Sequence, residues 1–335
     1  MFTICIAVVI LFCIELLYFK IANHYNIVDK PNLRSSHTLI TIRGGGIIFP
    51  LAFIVGILIY QPQNVYIALA VLAISVISFM DDIVTLNNKI RISVHIIAVS
   101  LAIYQCVSNT PLLQTFIGNS QILILVGCAM GTYILFIGII NACNFMDGIN
   151  GITVFYFMVT LTSAWYVQYK LNLDLLDNGV WQCLMASLLV FGFFNLRIIA
   201  KTFAGDVGSI SLALIICFLI FSLMAITQNP KWILLLAVYG LDTILTIICR
   251  LFRRENIFEA HRSHFYQYLA NKRKMGHILI SVLYAVSQLF INYLLIAEES
   301  GIYALSALVS LFIVYGFLRL KMEGAKNLFE TYKPN

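Results

Sequence analysis

Long apolar stretches separated by short polar segments run along almost the whole chain. Eleven of these stretches have the length of a membrane-spanning helix, since a hydrocarbon core of about 30 Å takes roughly 20 apolar residues. Unpaired backbone groups are costly in hydrocarbon, and the sequence lacks the alternation of a membrane barrel, so helices are predicted. The predicted spans are 2–21, 44–60, 64–80, 92–107, 121–140, 152–168, 182–196, 209–227, 232–249, 278–296 and 302–318.

This pattern predicts an all-α fold: a polytopic integral membrane bundle of about eleven transmembrane helices. No repeat or linker stands out, so residues 1–335 are predicted to form one domain. The first stretch contains Glu15 and has no basic region before it, which favours a first membrane helix over a removed signal peptide. Hydrophobic residues make up 61% of the chain and charged residues 11%, which excludes a soluble globular protein.

The polar segments fall into two classes by their basic residues. One class holds every lysine and arginine except Lys170 and Lys231. Because basic residues concentrate in cytoplasmic loops, this class is predicted to face the cytoplasm, with the N-terminus outside and the C-terminus inside. The asymmetry accounts for the net charge of +6 without nucleic acid as a partner. The predicted cytoplasmic loops are 22–43, 81–91, 141–151, 197–208 and 250–277, followed by the C-terminal tail.

Four aspartates lie on the predicted cytoplasmic side, next to span ends: Asp81, Asp82, Asp147 and Asp206. Any one of them could be a solvated helix end. Four that converge would repel one another by about 4 kcal/mol per pair at 4 Å and an effective dielectric constant near 20, so a cation should compensate them. Oxygen ligands without a Cys/His cluster favour Mg²⁺, which often shares its coordination sphere with substrate phosphates. The aspartates therefore indicate phosphoryl chemistry.

Polar side chains recur at every third position between residues 141 and 151. Residues three apart are neighbours on a helix, so Asn141, Asn144, Asp147 and Asn150 are predicted to form a polar ridge. Glycines within the segment permit a break in the helix or close approach of a ligand to the backbone. The alternative interpretation is a simple Asn-Gly turn.

The longest predicted inner loop contains His261, Arg262 and His264 among many other cations. The two histidines could be metal ligands, but no third ligand is spaced with them and Arg262 would oppose a cation. An anion-binding loop is favoured, since arginine and protonated histidine suit diphosphate oxygens. A plain positive-inside anchor is the other alternative.

A few polar or small residues within or beside the spans favour structural interpretations. Glu15, His95 and Asp242 are each predicted to make a helix-to-helix hydrogen bond. The glycines Gly44 to Gly46 lack the lysine of a phosphate-binding loop and are predicted to allow close helix packing.

Five blocks of the sequence resemble the motifs of a known family, the polyprenyl-phosphate N-acetylhexosamine-1-phosphate transferases. The blocks occur in the family order and cover most of the predicted inner loops. They are Val28 to His37 with Arg43 to Gly46, Asp81 to Arg91, Asn141 to Gly151, Phe203 to Ser209, and His261 to His264.

The resemblance implies a bundle of ten or eleven helices in the bacterial inner membrane, with its active site facing the cytoplasm. A polyprenyl phosphate, undecaprenyl phosphate in bacteria, would attack the β-phosphate of a UDP-N-acetylhexosamine. UMP would leave and a polyprenyl-diphosphate sugar would form. The resemblance leaves the oligomeric state open, and a homodimer is compatible with it.

The resemblance also implies roles for individual residues. Mg²⁺, or Mn²⁺ in its place, would be held by Asp206 and Asn144. The uridine pocket would be formed by Phe203 on the uracil ring, Asn150 and Asp147. The acceptor phosphate would be oriented or deprotonated by Asp81 and Asp82 and contacted by Lys89. The diphosphate and sugar would be bound by His261, Arg262 and His264.

Two positions depart from the common bacterial pattern. Asn150 stands where many bacterial members carry aspartate, so a role that needs a charge there is excluded. The run from His261 to His264 looks more like the subgroup that initiates O-antigen chains than the common-antigen enzyme. The donor sugar could then be N-acetylglucosamine, N-acetylfucosamine or N-acetylquinovosamine.

A multi-helix transporter of lipid-linked sugars or small solutes is the main alternative function. Such a protein is expected to carry charged groups near the bilayer midplane and internal repeats. Here the acidic residues gather at one face and no repeat is visible. The distribution of charge therefore favours the transferase.

Overall fold

Helices form nearly all of the regular structure. The computed structural model describes residues 2–31, 39–256 and 261–330, so the part of the first motif block within 32–38 lies outside the described residues. The helices are Phe2–His24 (α1), Ile48–Tyr60 (α2), Val65–Ile83 (α3), Asn88–Asn109 (α4), Pro111–Asn119 (α5), Ile122–Met146 (α6), Ile152–Lys170 (α7), Asn178–Asn195 (α8), Gly205–Thr227 (α9), Ala237–Phe252 (α10), Phe265–Asn271 (α11), His277–Ala297 (α12), Ile302–Glu323 (α13) and Ala325–Phe329 (α14).

Each of the eleven predicted spans overlaps one helix, and the prediction of an all-α polytopic membrane protein is confirmed. Eight helical segments within the described residues are long and apolar enough to cross a bilayer. The helices α2, α7 and α8 are shorter or less apolar than those eight. The additional helices α5, α11 and α14 are short pieces in the connections.

The helix α9 lies at the centre of the bundle, against α2, α3, α4 and α6. Its side chains are buried on every face over most of its length. A helix that is apolar all round is typical of such a position. Around this centre α1 packs on α8, and α7 packs on α12.

Glycines allow the backbone before α2 to touch α9. A Cβ atom built on Gly46 would lie 2.6 Å from the Cα of Gly208, and one built on Gly208 would lie 2.8 Å from the Cα of Gly46. The predicted close helix packing of the Gly44 to Gly46 run is thus confirmed. Gly44 also has a φ of 84°, a left-handed conformation that favours glycine.

We expect Gly46→Ala to destabilise the folded protein, because two backbones would have to separate to admit the methyl group. The expected loss is about 2 kcal/mol in the free energy of unfolding, seen as a lower unfolding temperature in detergent. Gly131→Ala is the matched control, since a Cβ there meets no atom within 4 Å. Equal unfolding temperatures for the two variants would contradict the packing argument.

A short antiparallel strand pair places the first inner loop against the start of α9. The strands are Val28–Asp29 (β1) and Thr41–Ile42 (β2). Ile42 continues the pairing: its carbonyl accepts a hydrogen bond from the backbone N–H of Phe203, 2.8 Å away. This pairing positions Arg43 next to the residues that begin α9.

The predicted loop classes lie at opposite ends of the bundle. Asp206 begins α9, and Thr227, which ends it about 30 Å away, accepts a hydrogen bond from the indole of Trp232. The ammonium of Lys231 lies at this second end and donates to the carbonyls that finish α12, among them that of Leu295 at 3.1 Å. Which end faces the cytoplasm stays a prediction from the charge pattern.

The three polar residues predicted to link helices differ in outcome. Asp242 accepts a hydrogen bond from the Tyr284 hydroxyl of α12 at 2.6 Å, so its prediction is confirmed. For Glu15 the prediction is wrong: both carboxylate oxygens are buried without a hydrogen-bond partner among the described residues. His95 is buried too, and the described part of the chain offers its ring no hydrogen bond.

Candidate active site

Asp82 lies in the last turn of α3 and binds the start of α9. Its Oδ1 accepts a hydrogen bond from the backbone N–H of Asp206 at 3.0 Å, and its Oδ2 accepts one from Val207 at 3.1 Å. A carboxylate in this position satisfies free N–H groups and opposes the positive end of the helix dipole. Gly205 makes the approach possible, because a Cβ atom there would lie 2.6 Å from Oδ2 of Asp82.

Arg43 bridges two of the predicted carboxylates. Its Nε lies 2.7 Å from Oδ1 of Asp82, and its Nη2 lies 3.4 Å from Oδ1 of Asp206. Burial alone would lower the pKa of Arg43, but the negative charges of Asp82, Asp206, Asp29 and Asp81 together outweigh burial and raise it. The guanidinium therefore stays charged between them.

Arg91 joins the third carboxylate to the same group. Its Nη1 lies 2.9 Å from Oδ2 of Asp81, and its Nη2 lies 4.0 Å from Oδ2 of Asp206. The other oxygen of Asp81 accepts a hydrogen bond from the backbone N–H of Leu86 at 2.8 Å, which shapes the turn between α3 and α4. We call Asp81, Asp82, Asp206, Arg43 and Arg91 the carboxylate cluster.

The carboxylate cluster confirms the predicted meeting of these aspartates but changes how their charge is balanced. Sequence reasoning expected a metal ion, and the two arginines already supply neighbouring positive charge. Within residues 2–31, 39–256 and 261–330, no three or more His, Cys, Asp or Glu side chains are grouped as metal ligands. A site with fewer protein ligands is still compatible with Mg²⁺, which often binds one or two carboxylates together with phosphates and water.

Asn144 provides an oxygen beside the carboxylate cluster. The hydroxyl of Ser209 donates to Oδ1 of Asn144 at 2.7 Å, and the Asn144 side chain lies within hydrogen-bonding reach of Asp206. Asn144 sits in the last turn of α6, one turn beyond Asn141. The pair of a carboxylate and an amide oxygen has the hard-ligand chemistry that Mg²⁺ prefers.

The predicted polar ridge is wrong beyond Asn144. The helix α6 ends at Met146, and Asp147 has φ −85° and ψ 65°, outside the helical region. The next helix begins only after Gly151, whose φ is 85°. The glycine-rich sequence breaks the helix, so Asp147 and Asn150 occupy a bend between α6 and α7 instead of a helix face.

Asp147 lies half-buried in this bend. Its Oδ1 accepts a hydrogen bond from the Thr153 hydroxyl at 2.5 Å. Burial raises the pKa of Asp147 to about 6; the hydrogen bond from Thr153 lowers it, and the negative charge of Asp206 raises it. The influence of Asp206 places Asp147 in the same electrostatic environment as the carboxylate cluster.

Asn150 is buried and its amide is already engaged. The amide nitrogen donates to the carbonyls of Arg197 at 2.8 Å and Ile198 at 3.3 Å. The backbone carbonyl of Asn150 accepts a hydrogen bond from the Ser281 hydroxyl at 2.9 Å. These bonds tie the bend to the 197–208 loop and to α12, and the predicted uridine contact stays a prediction.

The histidine segment faces the end of α6. The ring of His261 lies 5.6 Å from that of Phe145, and the rings of His261 and His264 are 5.0 Å apart. The hydroxyl of Tyr266 donates to the Phe145 carbonyl at 2.8 Å and occupies the space where a Cβ on Gly148 would lie. Two predicted motif blocks therefore form one wall.

His261 is not the cation that the anion-binding interpretation expected. Burial, His264 and Arg250 lower the pKa of His261 to about 3, so its ring is neutral at pH 7. Its Nδ1 accepts a hydrogen bond from the backbone N–H of Ser263 at 3.3 Å, which leaves the proton on Nε2. His261 can therefore contact an anion as a neutral donor only.

The remaining predicted site residues are Arg262, Phe203 and Lys89. Arg262 lines a polar cavity of about 1010 Å³ that also has Arg253 and Glu255 in its wall. Phe203 is half-buried immediately before α9, and Lys89 is exposed in the first turn of α4. The structure fixes their positions, and their predicted roles stay predictions.

Sequence reasoning gave no role to Arg43 or Arg91, although both stand within the quoted motif blocks. Each of these arginines stands close in sequence to a glycine-rich or acidic motif, which could have indicated an ion pair. The positive-inside rule explains basic residues by the side of the membrane on which they lie, and it does not predict which carboxylate each one contacts.

An apolar groove of about 470 Å³ opens between α6, α10 and α13. Its wall includes Ile139 and Cys143 of α6, Tyr239 of α10 and Phe312 of α13. Cys143 directly precedes Asn144, so on α6 the groove wall reaches within one residue of the polar site. Such a groove in a membrane bundle suits a hydrocarbon chain.

The helical bundle, with a polar site at one of its ends, is that of a multi-pass membrane protein, and the comparisons with known proteins indicate a transferase. The profile of glycosyl transferase family 4 matches residues 64–224, which include the Asp81, Asn144 and Asp206 motifs. The chain is 25% identical over 329 residues to the "probable undecaprenyl-phosphate N-acetylglucosaminyl 1-phosphate transferase" of Bacillus subtilis (strain 168), covering 94% of this chain and 89% of that protein. Both similarities agree with the resemblance to the polyprenyl-phosphate N-acetylhexosamine-1-phosphate transferases that the sequence motifs indicated.

Proposed function

We propose that this protein transfers N-acetylhexosamine-1-phosphate from a UDP-N-acetylhexosamine to undecaprenyl phosphate. UMP is released and undecaprenyl-diphosphate sugar is formed in the bacterial inner membrane, at the cytoplasmic surface. The observation that carries the proposal is the carboxylate cluster at one end of a bundle that also has an apolar groove, whose wall on α6 reaches Cys143. The match to glycosyl transferase family 4 and the similarity to the Bacillus subtilis protein support the same reaction.

The groove between α6, α10 and α13 would receive the lipid chain of the acceptor. A polyprenyl chain is branched and apolar, as is the groove wall around Ile139 and Phe312. With the chain in the groove, the phosphate of the acceptor would lie near Asn144 and the carboxylate cluster. One substrate would thus come from the bilayer and the other from the aqueous side.

The cations of the carboxylate cluster would orient the acceptor phosphate. Arg91 and Arg43 carry planar guanidinium groups that suit phosphate oxygens, and both are held in place by aspartates. Asp81 and Asp82 would act chiefly by positioning these arginines and the start of α9. The reaction does not require a general base to deprotonate the acceptor, because a phosphate monoester is already largely ionised at pH 7.

Asp206 and Asn144 are the residues that would hold Mg²⁺, or Mn²⁺ in its place. The Asp206 carboxylate and the amide oxygen of Asn144, which accepts from Ser209, would supply two hard ligands to a divalent ion that completes its sphere with diphosphate and water. A bound ion would neutralise charge on the diphosphate during transfer. The chain's own contribution is to hold these two oxygens beside the arginines, and positioning with charge neutralisation dominates phosphoryl transfer.

The donor nucleotide would occupy the space bounded by the α6–α7 bend, the start of α9 and the histidine segment. Phe203 would stack on uracil, and Asp147 and Asn150 would line the pocket. His261, Arg262 and His264 would contact the diphosphate and sugar. N-acetylglucosamine is the first donor sugar to test, because the Bacillus subtilis relative carries that sugar in its name.

The proposed function is tested by giving membranes that contain the protein a panel of UDP-N-acetylhexosamines with undecaprenyl phosphate and Mg²⁺. We expect UMP release together with one lipid-diphosphate sugar, identified by mass spectrometry. Membranes without the protein provide the background. Lipid-sugar translocation without UMP release would overturn the proposal in favour of a transporter.

Removal of divalent ions is expected to stop the reaction. With excess EDTA, UMP release should fall by more than about tenfold and return when Mg²⁺ or Mn²⁺ is added in excess of the chelator. The physical reason is that two arginines alone leave the negative charge of the diphosphate and the three aspartates unbalanced. Undiminished turnover in EDTA would remove the metal from the proposal and leave the family reaction in place.

A further inference from the structure

A buried carboxylate inside α10 is bonded to the histidine segment. Asp242 is fully buried, and its Oδ1 lies 3.2 Å from Nδ1 of His264 and 3.2 Å from the backbone nitrogen of Phe265. Oδ1 also accepts from the Thr246 hydroxyl at 3.1 Å, and Oδ2 accepts from the Tyr284 hydroxyl at 2.6 Å. Every oxygen of this carboxylate is thus hydrogen-bonded, as burial demands.

Arg319 of α13 supports the same arrangement from the other side. Its Nη1 donates to the Thr246 hydroxyl at 3.1 Å, and its Nη2 donates to the Ser263 carbonyl at 2.7 Å. Its Nε lies 2.6 Å from Oε1 of Glu323. Together with Asp242, Arg319 fixes the backbone on both sides of His264.

The ring of His264 is left with one free nitrogen. Nδ1 faces Asp242, while Nε2 is buried and has no hydrogen-bond partner among the described residues. The ring lies 5.0 Å from that of His261 and 6.5 Å from that of Phe145, next to the end of α6. A buried ring nitrogen without a partner is costly unless a ligand supplies one.

We propose that Asp242 is a positioning residue for the transfer reaction: it accepts the Nδ1–H of His264 and so presents Nε2 as an acceptor to a hydroxyl or amide N–H of the donor's N-acetylhexosamine. A carboxylate that orients a functional imidazole in this way fixes both its tautomer and its ring plane. The inference rests on the proposed function, since it assigns a role within that reaction. Asp242 would thus act in the reaction as well as link α10 to α12.

The kinetic test compares Asp242→Asn, His264→Asn and the double variant in the full-length protein. Each single variant is expected to lower kcat/KM for UDP-N-acetylglucosamine by about 30-fold. Because Asp242 acts through His264, the double variant should lie within about threefold of His264→Asn alone. Tyr284→Phe is the matched control, since it removes a bond to the same carboxylate, leaves the His264 contact, and should change kcat/KM by less than about fivefold.

If the loss of kcat/KM in the double variant equalled the product of the two single losses, the proposal would be overturned, because Asp242 would then act independently of His264. A loss in Tyr284→Phe as large as in Asp242→Asn would do the same, by showing a general effect on the fold. Size-exclusion chromatography in detergent checks that each variant is folded.

A second measurement needs no change at Asp242. Nitrogen NMR of protein with ¹⁵N-labelled histidines, with the His264 signals assigned by their loss in His264→Asn, should show a proton on Nδ1. An unprotonated Nδ1 would overturn the proposal even where Asp242→Asn fails to fold. Absence of UMP release by the wild-type protein would instead overturn the proposed function, and the NMR result would still decide whether the pairing exists.

Discussion

Asp206→Asn is expected to lower UMP release about 10³-fold while the protein still inserts and folds. The change keeps the shape of the side chain and removes the charge that Arg43 and Arg91 approach on its two oxygens. It also removes the only carboxylate proposed to hold the metal ion. The measurement is kcat for UMP release by purified protein in detergent, with undecaprenyl phosphate and UDP-N-acetylglucosamine in excess.

Asp174→Asn is the matched control for this prediction, because Asp174 lies in a loop at the opposite end of the bundle. It should leave kcat within about twofold of wild type. If Asp206→Asn retained activity within about tenfold of wild type, Asp206 could be neither a metal ligand nor part of the charge balance at the reacting phosphates.

Arg43→Ala is expected to damage stability and activity together. The side chain of Asp82 is fully buried, and loss of Arg43 at 2.7 Å would leave its charge with backbone N–H groups alone. The expected cost is about 3 kcal/mol, read as a lower unfolding temperature in detergent. UMP release should fall about 10²-fold, because Asp82 and Asp206 would then face each other without the guanidinium between them.

The double variant Arg43→Ala/Asp82→Asn separates these two effects. Removal of the buried charge should restore most of the unfolding temperature, since the asparagine oxygen can still accept a backbone N–H. Activity should stay low, because the phosphate-orienting cation is still missing. An unfolding temperature unchanged in Arg43→Ala would show that the bridge contributes nothing to the fold.

The membrane architecture could be predicted because hydrophobic length and charge asymmetry act locally along the chain. Each predicted span overlaps a helix, and Lys231 lies at the other end of α9 from Asp206, as the loop classes required. The end of α6 was harder to predict. Regular spacing from Asn141 to Asn150 suggested a continuous face, but Gly148 and Gly151 end the helix first.

The partners within the site could not be predicted, because they depend on how distant helices pack. Arg43 and Asp206 are 163 residues apart in sequence, and their contact requires both the β1–β2 pair and the Gly46–Gly208 approach. Asp242 and His264 are 22 residues apart across a loop whose course the sequence leaves open. The residue types in the motifs indicated phosphoryl chemistry. Only the fold could show which of these residues contact one another in the site.

The bond from Asp82 to the start of α9 has a consequence for movement during turnover. Because two backbone N–H groups of α9 are anchored on α3, neither helix can rotate at this end without breaking a buried bond. Asp82 and Asp206 therefore travel as one rigid body. Arg43, which is paired with both carboxylates, would move with them.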